Sequence, residues 1–151
     1  MKTIMKIIAA SLTMLLLAAI PAKAEGHGDG VHRLVLQISD NNAQKMTTVL
    51  NVAANVTRYY EGKGEEVEIR IVAFNAGLHM LRTDTSPVLE RVRSFGQSMP
   101  NVTFAACNNT IQGMTRKEGK APPITEYAEV VPAGVIEIMT LHEDGWTVVR
   151  P

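Results

Sequence analysis

Two kinds of hydrophobic pattern alternate along the central part of the chain. Short, near-continuous apolar runs occur at Leu34–Ile38, Val67–Phe74 and Val102–Ala106. Between them, the segments 43–60 and 86–99 carry apolar residues at spacings of three and four. Near-continuous runs are typical of strands buried on both faces, and the longer spacing is typical of amphipathic helices. The pattern therefore predicts three buried strands separated by two helices.

Capping and helix-breaking residues mark the limits of these elements. Ser39–Asn42 fits a turn and a helix cap after the first strand, and Gly62–Gly64 ends the first helix. Ser86–Pro87 predicts the start of the second helix, because a capping side chain precedes proline at the first helical position. Asn108–Thr110 can cap a third helix directly after the third strand.

The C-terminal third is compatible with two patterns. Tyr127–Val131 and Trp146–Arg150 are predicted to be strands. The apolar residues of Val135–His142 can line a helix, but Asp144–Gly145 between two apolar runs is also a hairpin signal. Hydrophobic periodicity leaves both alternatives open.

Strands that alternate with helices over short connections predict a three-layer α/β/α domain with a mainly parallel sheet. In such sheets, ligands and reactive groups lie beyond the carboxyl ends of the strands. Three polar segments follow predicted strands: Ser39–Asn42, Asn75–His79 and Cys107–Thr110. These segments are where we expect a functional site.

The first 24 residues have the layout of a secretory signal peptide. Lys2 and Lys6 precede an uncharged apolar run, Ile7–Ile20, and Pro21–Ala24 ends in an A-x-A cleavage pattern. The alternative is a transmembrane anchor, but the run has 14 residues and a span needs about 20. We therefore expect cleavage after Ala24, a periplasmic location, and no membrane association after cleavage.

Cleavage would leave a short, flexible lead-in at residues 25–31 and one domain at residues 32–151. Removing the three lysines of the signal peptide leaves 12 basic and 15 acidic residues, a formal charge of −3. This balance, with scattered Lys and Arg, gives no basic footprint for nucleic acid. The single cysteine excludes an intrachain disulfide framework and a cysteine-rich zinc module.

Cys107 is the most specific chemical feature of the sequence. It follows a predicted strand and stands at or just before a predicted helix, where unsatisfied amides and the helix dipole favour an anion. A thiolate is such an anion, so we expect a thiol pKa below the free value of about 8.5 and a reactive nucleophile. Free cysteine is also among the most buried residue types, so packing and an interchain disulfide are the alternative roles.

Five polar residues of the three segments are candidates for the surroundings of this cysteine: Asn75, His79, Asn108, Asn109 and Asp40. His79 could hydrogen-bond to or protonate a group bound at Cys107. Asn108 and Asn109 would flank the thiol. Caps, turns and surface positions are the alternative roles of all five side chains.

The sequence carries few other chemical motifs. The chain has no glycine-rich phosphate loop, no G-x-S-x-G elbow and no two histidines one helical turn apart, and we expect no cofactor. Cleavage after Ala24 would place His27 third from a free amine, an arrangement that offers nitrogen ligands to Cu(II) or Ni(II). An N-terminal metal site is a further alternative, while we expect no metal in the domain itself.

The arrangement of these segments resembles the DsrE/DsrF-like family. The order and spacing of the motifs are more distinctive than any one of them, and the resemblance covers most of residues 31–151. The segments that carry it are the opening strand 32–39, Val72–Leu81, Asp84–Leu89, Phe104–Asn108 and the ending from Val130 to Trp146.

The resemblance implies a five-stranded α/β/α domain that forms homo-oligomers, often trimers or hexamers, and it favours the helical alternative for 133–143. Characterised members of the family include carriers that take a persulfide on one cysteine and pass it to a partner. Cys107 is the only residue here that can fill that role. The expected function is a periplasmic sulfur carrier of sulfurtransferase type, whose partners are thiol or persulfide donors and acceptors.

A second class of function stays open at this point. The same scaffold can serve as a non-enzymatic module that binds a small molecule or a protein, or that assembles with other subunits. In that case Cys107 has only a packing role.

Overall fold

The computed structural model describes residues 30–151, which form one five-stranded sheet with helices on both faces. The strands are β1 (His32–Ile38), β2 (Val67–Ala73), β3 (Val102–Cys107), β4 (Ala128–Val131) and β5 (Thr147–Val149). The α-helices are α1 (Ala43–Glu61), α2 (Leu89–Ser98), α3 (Asn108–Glu118) and α4 (Gly134–Glu143), and a 3₁₀ helix spans Asn75–Leu81.

The sheet has the order β4-β3-β2-β1-β5, and each neighbouring pair is parallel. Parallel neighbours require crossover connections, and α1 to α4 supply them. The predicted three-layer α/β/α fold is therefore confirmed. The strand limits shift slightly from those predicted: β1 already begins at His32, and β2 ends at Ala73 because the chain turns into the 3₁₀ helix.

The two faces of the sheet are covered unequally. Helices α1 and α2 form the main core on one face, and α3 packs against the same core through Ile111 and Met114. The other face is covered by α4 through Ile138 and Leu141. The buried strand residues beneath α4 form a smaller cluster: Val35, Val72, Ala105 and Val131.

The structure settles the open helix limits. Residues 134–143 form α4, so the helical alternative holds and the hairpin alternative is wrong. The predicted cap of α1 is confirmed, because the Asn42 side chain accepts a hydrogen bond from the Lys45 amide at 2.9 Å. The predicted start of α2 is wrong by two residues. The Ser86 hydroxyl donates to the Met80 carbonyl at 2.6 Å and so caps a turn before the helix.

At one place along the carboxyl edge of the sheet, the helices that follow two neighbouring strands lie on opposite faces. β3 and β4 are neighbours, yet α3 leaves β3 towards one face and α4 leaves β4 towards the other. Such a divergence opens a crevice beyond the strand ends, and this is where open α/β sheets bind ligands. The crevice begins at the last residues of the two strands, Cys107 and Val131, which are register partners.

A buried arginine, Arg82, links the end of α3 to the segment that follows the 3₁₀ helix through hydrogen bonds and ion pairs. The Arg82 side chain donates to Asp84 through Nε at 2.9 Å and Nη2 at 2.8 Å. It donates to Glu118 through Nη1 at 2.6 Å and Nη2 at 2.9 Å. The hydrogen bonds from Arg82 lower the pKa of Asp84 to about 2 and also lower the pKa of Glu118.

We expect the fold to lose stability as the pH falls below about 4. Asp84 and Glu118 have lower pKa values in the folded chain than in the unfolded chain, so the unfolded chain binds more protons in acid. Their contribution is complete above the unfolded pKa of about 4 and is lost as the pH falls towards 2. Thermal unfolding from pH 7 to pH 2 should therefore depend less on pH in Arg82→Gln than in the wild type. Parallel curves would contradict this.

Several predictions fall on residues 1–29, outside the described residues. They are the signal peptide at 1–24, most of the lead-in at 25–31 and the N-terminal metal site at His27. Within residues 30–151, no helix is long and apolar enough to cross a bilayer. The same residues contain no group of three or more His, Cys, Asp or Glu side chains placed to hold a metal ion.

Candidate functional site

Cys107 stands at the junction of β3 and α3. It is the last residue of the strand and the N-cap of the helix, with an extended backbone at φ −70° and ψ 114°. No loop separates the two elements, so the thiol lies both at the end of the buried strand and at the start of the helix. The first residue of α4, Gly134, follows β4 closely and brings a second helix start to the same place.

Polar hydrogens of both helix starts lie near the Cys107 sulfur, although within the described residues its side chain makes no N-cap hydrogen bond. They belong to the Thr110 hydroxyl and the amides of Thr110 and Asn109 in α3, and to the Gly134 amide in α4. Burial raises the pKa of the Cys107 thiol. Stabilisation of the charged form by these four polar groups outweighs burial and holds the pKa of the Cys107 thiol below its ordinary value. The site therefore favours a thiolate.

The Thr110 hydroxyl is oriented by the end of β2. The Asn75 amide donates to Thr110 Oγ1 at 2.9 Å. A hydroxyl carries one hydrogen and two lone pairs, so an oxygen that accepts from Asn75 keeps its hydrogen available for the Cys107 sulfur. Asn75 adopts φ 49°, a left-handed conformation that asparagine tolerates better than most residues. This turn aims its amide at Thr110.

Gly134 allows the close approach of α4 to the thiol. A Cβ at this position would lie 3.0 Å from the Phe74 Cβ and 3.3 Å from the Cys107 Cβ. Both distances are tighter than ordinary van der Waals contact. A side chain here would push the start of α4, and with it the Gly134 amide, away from the sulfur.

The thiol faces a pocket with a volume of about 630 Å³ between the 3₁₀ helix, α3 and the start of α4. Cys107 itself is 5% exposed, so a reactant reaches its sulfur by entering this pocket. The lining combines polar and apolar side chains along the length of α3. Its members besides Cys107 include Phe74, Asn75, His79, Asn109, Thr110, Met114, Lys117, Glu118 and Val135.

Three of the five predicted neighbours of Cys107 line this pocket. They are Asn75, His79 and Asn109. Asn75 and Asn109 act on the site through their backbone amides, rather than through the side chains that the sequence drew attention to. The His79 ring is held through Nδ1 by the Thr85 hydroxyl at 2.8 Å.

The other two predicted neighbours are placed elsewhere. Asn108 is the first residue of α3 and is half-buried, but it is not among the residues that line the pocket. Asp40 pairs with Lys45 at 2.8 Å and with Arg150 at 3.1 Å. The hydrogen bond from Lys45, followed by that from Arg150, lowers the pKa of Asp40. Asp40 thus links the end of β1 to α1 and to the end of the chain.

Sequence reasoning did not single out Thr110, Gly134 or Lys117. Thr110 had a local signal, because a polar side chain three residues after an N-cap commonly reaches back to it. Gly134 had none, because its proximity to Cys107 depends on β4 lying beside β3. Lys117 lines the far end of the pocket, and only the course of α3 places it there.

Comparison with known proteins bears on the fold. No protein-family model matches the chain, and no curated protein matches it. Among solved structures, the protein of unknown function MTH1491 from Methanobacterium thermoautotrophicum is similar, with 27% sequence identity and a TM-score of 0.68. The match covers 80% of this chain and 99% of that one. It supports the α/β architecture.

Proposed function

We propose that this chain is an exported, periplasmic persulfide carrier of the DsrE/DsrF-like type. The Cys107 thiolate accepts a sulfane sulfur atom, holds it as a persulfide and passes it to another thiol. The observation that carries the proposal is the convergence of three amides and one hydroxyl on a sulfur atom that faces a pocket. A cysteine used only for packing needs neither the donors nor the pocket.

The chemistry needs no oxidant or reductant. In loading, the Cys107 thiolate attacks the outer sulfur of a donor R–S–SH, the donor S–S bond breaks, and R–S⁻ leaves. In unloading, an acceptor thiolate attacks the outer sulfur of the Cys107 persulfide, and Cys107 leaves as a thiolate. Polar groups that stabilise this thiolate make it a better leaving group, so the same groups favour release.

Mass spectrometry tests the proposal directly. After incubation with a persulfide, polysulfide or thiosulfate donor, the mature chain should gain about 32 Da, the mass of one sulfur atom. A second thiol should then remove the added mass. Cys107→Ser is the control and should gain nothing. Absence of the adduct on the folded chain, with Cys107 inert to alkylation, would contradict the proposal.

An assembly function is the second candidate, supported by an exposed apolar surface. Three residues of α4 are more than half exposed: Val135 at 51%, Ile136 at 59% and Met139 at 51%. Val130 of β4 and Val148 and Val149 of β5 add to the exposed apolar residues. An apolar outer helix face of this kind is typical of an interaction surface. We propose that further copies of the chain cover this apolar surface. The family resemblance implies a homo-oligomer, often a trimer or a hexamer.

Charged substitutions on α4 test this self-association. We expect Ile136→Asp combined with Met139→Asp to convert the oligomer to a monomer, because two exposed apolar side chains would become carboxylates at the interface. Light scattering coupled to size exclusion measures the mass. Gln44→Asp, at an exposed polar position of α1 on the other face of the sheet, should leave the mass unchanged. A monomeric wild type would exclude self-association.

A further inference from the structure

The pocket at Cys107 extends far beyond the sulfur atom. Its lining includes Asn109 and Thr110 at the start of α3 and Lys117 and Glu118 at the end of the same helix. A rise of 1.5 Å per residue puts these ends roughly 12 Å apart. The pocket is therefore a groove along α3, and a single sulfur atom or a thiosulfate-sized ion would occupy a small part of its 630 Å³.

The middle of this groove is mainly apolar. Met114 lines it between the thiol and the far end, whereas Phe74 lines it beside the start of α4, and both are half-buried because they also pack against the cores of the domain. Gly113 leaves room on the exposed side of α3, since a Cβ there would meet its nearest neighbour only at 3.9 Å. An organic chain fits these walls better than a hydrated inorganic ion.

The far end of the groove carries one basic and one acidic side chain, Lys117 and Glu118. Both carboxylate oxygens of Glu118 are occupied by Arg82, at 2.6 Å and 2.9 Å. Lys117 lines the groove, and its ammonium group has no hydrogen bond or ion pair among the described residues. A ligand that spans the groove therefore meets a free cation at the end opposite the thiolate.

We infer that the groove takes a low-molecular-weight organic persulfide, R–S–SH, whose R group carries a carboxylate remote from the sulfur. The outer sulfur lies at Cys107, the R group runs along Met114, and Lys117 binds the carboxylate. This inference rests on the proposed carrier function and names its donor. The transfer is the loading step given above, with R–S⁻ as the leaving group, and Lys117 is the residue that selects among donors.

Donor selectivity tests the inference on the full mature chain. Loading of Cys107 is measured by mass spectrometry with glutathione persulfide, which carries remote carboxylates, and with cysteamine persulfide, which carries none. We expect Lys117→Gln to slow loading from glutathione persulfide by roughly fivefold, the effect of losing one exposed ion pair, and to leave loading from cysteamine persulfide unchanged. Arg93→Gln is the control, because it removes one exposed cation from α2, outside the groove.

A binding measurement separates this inference from the carrier function. S-methylglutathione cannot donate sulfur, but it should protect Cys107 from iodoacetamide in the wild type and in Arg93→Gln, and protect it less in Lys117→Gln. Equal behaviour of Lys117→Gln and Arg93→Gln in both assays would overturn the inference and leave the carrier function standing. Protection that depends on Lys117, without loading by any donor, would overturn the carrier function and keep the ligand class.

Discussion

Thr110→Val is expected to slow the alkylation of Cys107 at pH 7 by roughly threefold to tenfold. The variant removes the hydroxyl that stabilises the thiolate, and a hydrogen bond to a charged group contributes about 1.5–3 kcal/mol. The pKa of the thiol therefore rises and less thiolate is present. The effect on rate is smaller than the effect on the thiolate fraction, because a more basic thiolate is also a better nucleophile.

The matched control for this change is Thr110→Ser. Serine keeps the hydroxyl that accepts from the Asn75 amide and donates to the sulfur, so it should restore most of the rate. Thermal unfolding of both variants separates a local effect from a loss of structure. A Thr110→Val protein that reacts as fast as the wild type would show that the Thr110 hydroxyl does not stabilise the thiolate.

Gly77→Ala is expected to destabilise the domain by about 3 kcal/mol or more, the range of severe overpacking. Gly77 lies in the 3₁₀ helix that packs against the end of β1. An alanine Cβ would overlap with the Ile38 carbonyl oxygen and would lie 2.5 Å from the Ile38 carbonyl carbon and 2.8 Å from the Ser39 nitrogen. These are backbone atoms, so relief requires the whole 3₁₀ helix to move.

The Gly77→Ala effect should be visible in both stability and reactivity. We expect a loss of roughly 10 °C in Tm together with slower alkylation of Cys107, because the displaced segment carries Asn75. Gly113→Ala is the control, since that site has space and lies inside a helix, where alanine is favoured over glycine. Equal melting temperatures for Gly77→Ala and the wild type would show that the 3₁₀ helix is not tightly seated.

The fold could be predicted from the sequence because its main helices and strands carry strong hydrophobic patterns. The near-continuous runs at β1 to β3 need burial on both faces, and a helix between each pair leaves few arrangements other than a parallel sheet. Where the hydrophobic pattern was weak, the predicted secondary structure was ambiguous. α4 is apolar on its outer face as well as its inner face, so its periodicity was blurred and a hairpin signal competed with it.

The candidate site was only partly accessible from sequence. Cys107 was found because strand and helix meet there without a loop. No local sequence pattern predicts that Gly134 lies beside Cys107. The two residues are 27 positions apart, and their contact depends on β3 and β4 being neighbours in the sheet. Asp40 drew attention as a polar residue after a strand, but its strand, β1, lies two places from β3 in the sheet, and its carboxylate pairs with Lys45 and Arg150.

The most direct test of the thiolate site is the pH dependence of Cys107 alkylation in the wild-type mature chain. The rate of reaction with iodoacetamide, followed from pH 5 to pH 10, gives the pKa of the only cysteine. We expect a midpoint below the value of about 8.5 for a free cysteine. A midpoint at or above that value, or no reaction in the folded chain, would contradict the central claim that two helix starts hold a reactive thiolate.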